Sequence, residues 1–490
     1  MSPSITDYES VLKERTPASF RDPSGQLLLI DSRLIRLVNK SGAADLQAFL
    51  ASATSSKFIE SGHLVRTDIL DRGAASTLLE ESEFDSVDIS EWSMILEHQV
   101  VPFPSFPYEW PPEMLHSAGL LTLDLGDSLL KEGLGLKDAT PYNIVFRGPN
   151  PVFVDLLSFE KRDPNDPIWL PQAQFERTFL LPLLVNKYFG LGLDQILSVR
   201  RDGFEPEEVY RFTGILRRLL PPMLSLVSIP TWLAAGHNED KQEIYKRKVL
   251  DNPDKSRFIL QSSFKRLRRL LRKVQPVNSR RSSWSEYAIN KNNYSEAHLQ
   301  AKDDFVDQAI SEFLPKRVLD IGCNTGKYSA MAAKRGASVI GIDTDAVVVG
   351  ETWRMARSGG LDILPLVVNV SRPTPAIGWR NGECPSFLDR ARGAFDAVLM
   401  LAVVHHLLVG ERIPLDEIIN LAAELTTNIL IIEFVAPDDS MFRRLTRGRD
   451  ALFSDLNPAV FEKACLRRFE IVRSQHVDHT SRWLYLLRKK

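Results

Sequence analysis

A glycine-bearing turn follows a short apolar run at residues 318–326, and its residue types could hold a small charged ligand. Gly322 and Gly326 would let the backbone approach a ligand where a Cβ atom would collide. The helix predicted to begin near Lys327 would offer free backbone N–H groups to a negative group. The next apolar run ends in Asp343, whose carboxylate could accept two hydrogen bonds from ribose hydroxyls. The segment therefore predicts a site for a cofactor that contains a nucleoside.

Two classes of cofactor compete for this loop. A nicotinamide dinucleotide site reads G-x-G-x-x-G and places a pyrophosphate on the helix end. The present loop reads D-x-G-x-N-x-G, so Asn324 replaces a glycine and Asp320 would repel a pyrophosphate. The charge of Asp320 suits an ammonium group instead. A glycine turn that binds no ligand is the third possibility.

The loop resembles motif I of class I S-adenosylmethionine (SAM)-dependent methyltransferases, and Asp343 matches the ribose-binding acid of that family. The resemblance implies that SAM is the cofactor. The residues it implies for cofactor binding are Asp320, Gly322, Cys323, Asn324, Gly326 and Asp343. It further implies that Asn369 and Val370, which follow the third strand of the domain, contact the adenine base, and an ordinary turn at that position is the alternative.

Apolar strand-like runs alternate with helical stretches from residue 300 onward, which predicts a doubly wound, mostly parallel sheet. The five runs lie at residues 318–321, 338–342, 363–368, 397–401 and 429–434. Two further runs, 469–472 and 483–487, are close enough in sequence to form an antiparallel pair at one edge of the sheet. We therefore expect an α/β Rossmann-like methyltransferase domain over residues 300–490.

Three side chains at the ends of the fourth and fifth predicted strands are candidates for proton transfer. His405 and His406 follow the fourth strand, whose carboxyl end the switch-point rule places beside the reacting groups. A histidine there could be a general base, because its ordinary pKa is near neutrality, or it could only cap the strand. Glu433 follows an apolar run, so burial could raise the pKa of its carboxyl. No metal site is predicted, because adjacent histidines diverge in an extended segment and Cys465 has no partner at zinc spacing.

Several segments of the C-terminal half resemble a bacterial group of methyltransferases related to rhizobial nodulation proteins. These segments are residues 369–379, 404–407, 432–435 and 447–450. The resemblance implies SAM-dependent methylation without naming a substrate, and on its strength we expect an oxygen or nitrogen acceptor on a small molecule or glycan. We interpret the segment that contains Trp379 and Cys384 as part of the substrate wall, because loops at that sheet edge carry specificity.

The N-terminal half, residues 1–245, contains a spacing that matches kinase-like phosphotransferases. Asp138 is followed by Asn143 five residues later and by Asp155 after a β-like hairpin. In such enzymes the first aspartate accepts a hydroxyl proton, while the asparagine and the second aspartate hold Mg²⁺ on a nucleotide. No glycine-rich phosphate loop precedes them, and Arg36 is the cation nearest to the expected strand lysine. We expect an α+β accessory domain with a degenerate kinase-like fold, and an unrelated α+β fold is the alternative.

Residues 246–299 form a basic stretch and a linker between the two halves. Phe264, Leu267, Leu271 and Val274 fall on one face of a predicted helix whose other faces carry cations. An interdomain helix is favoured over contact with RNA or a membrane surface. A Ser/Arg-rich linker follows at residues 278–283. Beyond it, Tyr294 and Lys302 are candidates for contact with the SAM carboxylate.

The bulk properties narrow the class of protein further. A chain of 490 residues predicts two or three domains, and a net charge of −2 argues against a protein built for polyanions. Three scattered cysteines and the lack of a signal-like start or a long apolar run indicate a cytoplasmic enzyme. Two other functions stay open: an RNA methyltransferase, suggested by the basic stretch, and a non-catalytic regulator that binds SAM or a nucleotide.

Overall fold

The structure is a computed structural model that describes residues 22–82, 84, 87–235, 249–276 and 296–490. The N-terminal part combines a four-stranded sheet with two short strand pairs and a group of helices. The C-terminal part contains a seven-stranded sheet covered by helices on both faces. The predicted linker at 278–283 and Tyr294 lie outside the described residues.

The N-terminal sheet is antiparallel, with the strand order β1-β2-β4-β3. Its strands are β1 (Gly25–Ile30), β2 (Arg33–Val38), β3 (Thr67–Ile69) and β4 (Met94–His98). Three helices connect them: α1 (Lys40–Leu50), α2 (Ala53–Glu60) and α3 (Arg72–Glu80). Each helix begins after a side chain that accepts hydrogen bonds from first-turn N–H groups, namely Asn39, Ser52 and Asp71. Such capping satisfies backbone donors that have no partner inside the helix.

Helix α4 (Pro112–Leu130) is buried along most of its length and forms the centre of the N-terminal part. Gly126 is required there, because a Cβ atom at this position would lie 2.8 Å from the Phe264 ring. Two antiparallel pairs follow α4. The strands of these pairs are β5 (Leu134–Leu136) with β8 (Phe159–Lys161), and β6 (Ile144–Arg147) with β7 (Asn150–Phe153).

A series of short helices completes the N-terminal part. They are α5 (Gln172–Phe175), α6 (Leu181–Phe189), α7 (Leu193–Leu197), α8 (Pro206–Phe212), α9 (Ile215–Arg218) and α10 (Ile229–Ala235). The predicted basic helix is α11 (Pro253–Lys273), and all four side chains of its predicted apolar face are buried. Helix α11 packs on α4, and its Arg268 pairs with Asp124 of that helix. The basic helix is therefore an integral part of the N-terminal half rather than part of a linker.

The C-terminal sheet has the strand order β11-β10-β9-β12-β13-β15-β14. Its strands are β9 (Arg317–Ile321), β10 (Ser338–Asp343), β11 (Ile363–Val367), β12 (Phe395–Met400), β13 (Thr426–Val435), β14 (Phe469–His476) and β15 (Arg482–Lys489). The first five strands run parallel, and β14 and β15 form the antiparallel edge. The doubly wound sheet predicted from the alternating runs is confirmed, including its antiparallel edge.

Helices cover both faces of this sheet and bury its alternating side chains. They are α12 (Glu296–Phe313), α13 (Lys327–Lys334), α14 (Ala346–Gly359), α15 (Phe387–Ala391), α16 (Leu415–Leu425), α17 (Ser440–Thr446) and α18 (Pro458–Cys465). Val318 of β9 packs with α12, whereas its neighbour Leu319 belongs to the core on the opposite face. Within the described ranges, no helix combines the length and the apolar character that crossing a bilayer requires.

The two halves of the chain contact each other through buried polar groups. Glu109, which is fully buried, pairs with Arg390 of α15 and accepts a hydrogen bond from Thr374 Oγ1 at 2.6 Å. A second contact joins α4 to α14, where Arg354 Nη1 lies 2.5 Å from Glu113 Oε1. The segment between β11 and β12, which we expected to border the substrate, is therefore held in place by the N-terminal half.

Candidate functional site

The loop after β9 has the geometry of a ligand cradle. Gly322 and Gly326 have φ angles of +74° and +80°, which side chains rarely adopt. A Cβ atom at Gly322 would lie 2.5 Å from the Val403 side chain. The backbone N–H groups of Gly322 and Cys323 both donate to the carbonyl of Ile342, at 2.8 and 3.0 Å. The loop is thereby fixed against β10, and α13 begins directly after it.

Asp343 ends β10 and holds the loop through its carboxylate. One oxygen accepts from the backbone N–H of Asn324 at 3.0 Å, and the other accepts from that of Asp345 at 3.0 Å. Each carboxylate oxygen still has a lone pair for a further donor. Burial raises the pKa of Asp343 above its ordinary value. These contacts place an acceptor beside the loop, where ribose hydroxyls were expected.

Asp320 lies beneath the loop and is almost completely buried. Its carboxylate accepts from Ser329 Oγ at 2.6 Å, and burial raises its pKa to about 6. A cationic group in the cradle would favour the charged carboxylate. The chemistry of these two carboxylates suits the ammonium and ribose groups of SAM, and their contact with the cofactor stays a prediction.

Glu433, at the end of β13, lies between two cations. Lys302 Nζ is 2.5 Å from one carboxylate oxygen, and Arg482 Nη1 is 3.1 Å from the other. Burial alone would raise the pKa of Glu433, but these two cations lower it to about 2. The expectation of a raised pKa was therefore wrong. The sequence reasoning missed Arg482, although the pairing of β15 with β13 places it opposite Val435.

His405 and His406 lie at the carboxyl end of β12, in a helical turn rather than an extended segment. Their ring centroids are 4.3 Å apart, so the divergence expected for an extended segment does not apply to this helical one. Burial, followed by the neighbouring His406, lowers the pKa of His405 to about 3. Burial also lowers the pKa of His406. His405 is thus neutral near pH 7, and its Nδ1 atom is buried without a hydrogen-bond partner among the described residues.

Asn369 and Val370 follow β11, which ends at Val367. The Asn369 side chain accepts from the backbone N–H of Ser371 at 2.9 Å and from its hydroxyl at 2.7 Å. The Asn369 side chain therefore closes a turn, and its contact with adenine stays a prediction.

Thr352 was not singled out in the sequence, yet its hydroxyl donates to the carbonyl of Asn324 at 2.8 Å. Thr352, which lies on α14, thus holds the loop at residues 320–326 in place. Nothing in the sequence around Thr352 indicates this contact.

The segment expected to border the substrate forms a small loop of its own. A β-bridge joins Ile377 to Cys384, and Cys384 is buried. Trp379 lies near the tip of the loop and is 64% exposed. Glu383 pairs with Arg201 of the N-terminal half. The loop thus lies between the two halves, and its contact with a substrate stays a prediction.

The three residues with kinase-like spacing converge in the N-terminal half. Asn143 Nδ2 donates to Ser158 Oγ at 3.0 Å, and Ser158 Oγ donates to Asp155 Oδ2 at 2.5 Å. Arg36 Nη1 lies 3.6 Å from the other oxygen of Asp155. Burial, and then the charge of Asp155, raises the pKa of Asp138. Nowhere in the described part of the chain do three or more His, Cys, Asp or Glu side chains cluster in a way that could hold a metal ion.

Residues 295–470 match the protein family described as a methyltransferase domain. This match covers the parallel sheet, the glycine cradle and both acidic residues of the site. The protein is a SAM-dependent methyltransferase, as the motif in the loop predicted, and SAM is its cofactor.

Among known proteins, the nodulation protein NoeA of Rhizobium meliloti (strain 1021) is 28% identical, over 96% of this chain and 95% of NoeA. The 23S rRNA (uracil(1939)-C(5))-methyltransferase RlmD of Shewanella piezotolerans (strain WP3 / JCM 13877) is 28% identical, over 26% of this chain and 30% of RlmD. The solved N-methyltransferase NodS of Bradyrhizobium japonicum WM9 is 12% identical with a TM-score of 0.30, covering 40% of this chain and 98% of NodS. The predicted relationship to rhizobial nodulation proteins is confirmed by the similarity to NoeA.

Proposed function

We propose that the protein methylates an oxygen or nitrogen atom of a small molecule or glycan, and that His405 accepts the proton of that acceptor. The observation that carries this proposal is the buried, neutral His405, whose Nδ1 atom has no hydrogen-bond partner among the described residues. A buried polar atom without a partner costs free energy, so such an atom often marks a functional position. His405 lies at the carboxyl end of β12, and β12 pairs with β9, the strand that carries Asp320.

SAM supplies a methyl group that is already activated by its sulfonium. The work left for the protein is to hold the acceptor in line and to take up its proton. In this proposal the acceptor oxygen or nitrogen forms the new bond to the methyl carbon as the carbon–sulfur bond breaks. The electron pair of that bond stays on sulfur, and the acceptor proton moves to His405 Nδ1. Asp320 would hold the ammonium group of the cofactor and Asp343 its ribose.

Glu433 acts in this proposal as a positioning residue rather than as a base. Both of its carboxylate oxygens are engaged by cations, one by Lys302 and the other by Arg482, whereas Nδ1 of His405 has no such partner among the described residues. The contacts of Glu433 with Lys302 and Arg482 hold both cations near His405, and each of these cations lowers the pKa of that histidine. The two cations therefore help to keep His405 neutral, so that its Nδ1 atom can accept a proton, whereas the Glu433 carboxylate acts on this pKa in the opposite direction. His406, whose pKa is also lowered, is the second candidate for the base.

RNA methylation receives less support from the contacts of α11. The apolar face of α11 is buried, and two of its cations are paired, Arg268 with Asp124 and Arg266 with Glu176. Binding to RNA would release counterions and fall steeply with salt. An RNA affinity that is strong at low salt and lost at high salt would favour this alternative.

We further propose that the N-terminal half is a degenerate kinase-like domain, which includes α11 in addition to residues 1–245. Asn143 and Asp155 are linked through Ser158, and the charge of Asp155 acts on Asp138, which supports this proposal. Arg36 lies where a cation would neutralise Asp155, and Ser158 occupies the other carboxylate oxygen. Titration of Mg-ATP into the full chain should therefore produce no binding heat. Binding in the micromolar range would contradict the degenerate assignment.

The acceptor class can be tested with methyl-labelled SAM and fractionated cell extract. The wild-type protein should label small molecules or glycans, and the His405→Ala variant should label them much more slowly while it still binds SAM. Label that appears only in the RNA fraction would contradict the proposed acceptor. A His405→Ala variant with the wild-type rate would contradict the proposed base.

A further inference from the structure

An exposed apolar surface lies on the short helices α9 and α10 and on the residues just after α9, far along the sequence from the methyltransferase loop. Eight of the twenty-four exposed large apolar side chains among the described residues fall between residues 212 and 233. We call six of them the apolar surface: Ile215, Leu216, Leu219, Leu220, Ile229 and Trp232. Soluble proteins rarely concentrate exposed apolar side chains in this way unless the surface binds something.

The helices that carry this surface are packed against one another, so the surface belongs to one local structure. Ser228 Oγ donates to the carbonyl of Arg218 at 2.7 Å, which joins α10 to the end of α9. Trp232 Nε1 donates to Tyr210 Oη at 3.1 Å, and the Arg218 guanidinium stacks on the same tyrosine ring at 3.8 Å. Because these contacts fix the helices, the exposed leucines of α9 cannot turn inward without breaking them.

The stretch of chain that carries the apolar surface has charged side chains of one sign. Residues 209–235 contain three arginines, Arg211, Arg217 and Arg218, and no aspartate or glutamate. Of the four acidic side chains between residues 202 and 208, Glu205 pairs with Arg177 and Glu208 pairs with Arg200, so Asp202 and Glu207 are the remaining negative charges before this stretch. An anionic partner is therefore favoured over a neutral or basic one.

We propose that this surface binds the interface of an anionic phospholipid membrane. Exposed leucine and isoleucine side chains would enter the boundary between headgroups and acyl chains, and the arginines would contact lipid phosphates. Trp232 suits this boundary, because its ring is apolar and its N–H group is polar. A second copy of the chain fits less well, because it would bring three further arginines to the contact and no acidic side chain from residues 209–235 to pair with them.

Vesicle sedimentation of the full chain tests this proposal. Wild-type protein should sediment with vesicles of phosphatidylcholine and phosphatidylglycerol, and much less with vesicles of phosphatidylcholine alone. Leu216→Ser combined with Leu220→Ser should weaken the binding by about tenfold or more, because two apolar side chains are lost from the interface. Arg211→Gln and added salt should weaken it as well.

The matched control changes two exposed apolar residues outside the surface, Leu170→Ser with Val199→Ser, which are 70% and 82% exposed. This control should bind vesicles like the wild type, and all variants should keep wild-type SAM affinity as evidence of an intact fold. Failure of the wild type to sediment with anionic vesicles would overturn the proposal. It would also be overturned if the chain formed a dimer that the Leu216/Leu220 variant dissociates, or if the control lost binding to the same extent.

Discussion

Lys302 Nζ lies 2.5 Å from a carboxylate oxygen of Glu433, and both side chains are largely buried. Lys302 belongs to α12, the first helix of the methyltransferase domain, whereas Glu433 lies near the end of the fifth parallel strand. Arg482 binds the second oxygen of the same carboxylate. The pair therefore joins the helix before the cofactor loop to the edge of the sheet at which methyl transfer is proposed.

Replacing Glu433 by glutamine should destabilise the domain strongly. The change leaves Lys302 and Arg482 without their buried counter-charge, and breaking a buried pair in this way costs about 3–5 kcal/mol. Urea unfolding measures the loss. The control is Glu424→Gln, because Glu424 pairs with Arg392 at an exposed site where such pairs contribute about 0–1 kcal/mol. If the two substitutions lowered the free energy of unfolding equally, the buried ion pairs of Glu433 would contribute no more to stability than an exposed pair.

The affinity for SAM should increase with pH around pH 6. Burial raises the pKa of Asp320 to about 6, so a fraction of this carboxyl is protonated in the free protein under mildly acidic conditions. The ammonium group of SAM favours the charged form, so binding below pH 6 should release a proton from Asp320. Titration calorimetry in buffers of different ionisation enthalpy measures this proton. An Asp320→Asn variant should bind SAM more weakly and release no proton. If this variant still released a proton on binding SAM, the proton would come from a group other than Asp320.

His405→Asn should lower the rate of methyl transfer by about 10²-fold, the lower end of the usual contribution of a positioned general base, because the lowered pKa of His405 makes it a weaker base than a histidine that titrates near neutrality. The affinity for SAM should change little, because Asp320 and Asp343 hold the cofactor in the proposed arrangement. His406→Asn serves as the matched substitution and should reduce the rate less. If His406→Asn were the more damaging change, the base would be assigned to the wrong histidine.

Glu109→Gln should weaken the contact between the two halves of the chain. Glu109 is fully buried and binds both Arg390 and Thr374, so its charge supports the segment between β11 and β12. Thermal unfolding should then begin at a lower temperature, with a loss of about 3–5 kcal/mol in stability. Glu411→Gln, at the exposed pair with Arg372, should leave unfolding almost unchanged. An unchanged unfolding curve for Glu109→Gln would mean that the interface does not depend on this pair.

The sequence predicted the parallel sheet well, because buried parallel strands appear as short continuous apolar runs separated by helical stretches. It also predicted the cradle, since Gly322, Gly326 and Asp343 have local conformational or chemical reasons to occupy their positions. The charge state of Glu433 could not be predicted in this way. The direction in which the pKa of Glu433 shifts is set by Lys302 and Arg482, which lie 131 and 49 residues away in the chain. The contact between the histidine rings depended on a local helical turn that an apolar strand pattern does not reveal.

In the N-terminal half, too, the sequence predicted only part of what the structure shows. The spacing of Asp138, Asn143 and Asp155 predicted that these side chains lie together, and a hairpin of two short strands brings Asn143 close to Asp155. The role of Ser158 in linking Asn143 to Asp155 depends on side-chain geometry that spacing alone does not define. The exposed apolar side chains of α9 were also not anticipated, because an apolar helix in a sequence is more often buried.

The most direct test of the cofactor site is the affinity of SAM for the Asp343→Ala variant, measured by isothermal titration. Hydrogen bonds to a charged group contribute about 1.5–3 kcal/mol each, so we expect binding to weaken by about tenfold or more. The exposed Asp304 of α12 provides the control, and Asp304→Ala should bind SAM like the wild type. If a folded Asp343→Ala variant bound SAM with wild-type affinity, the assignment of the cofactor to the loop at residues 320–326 and to Asp343 would be wrong.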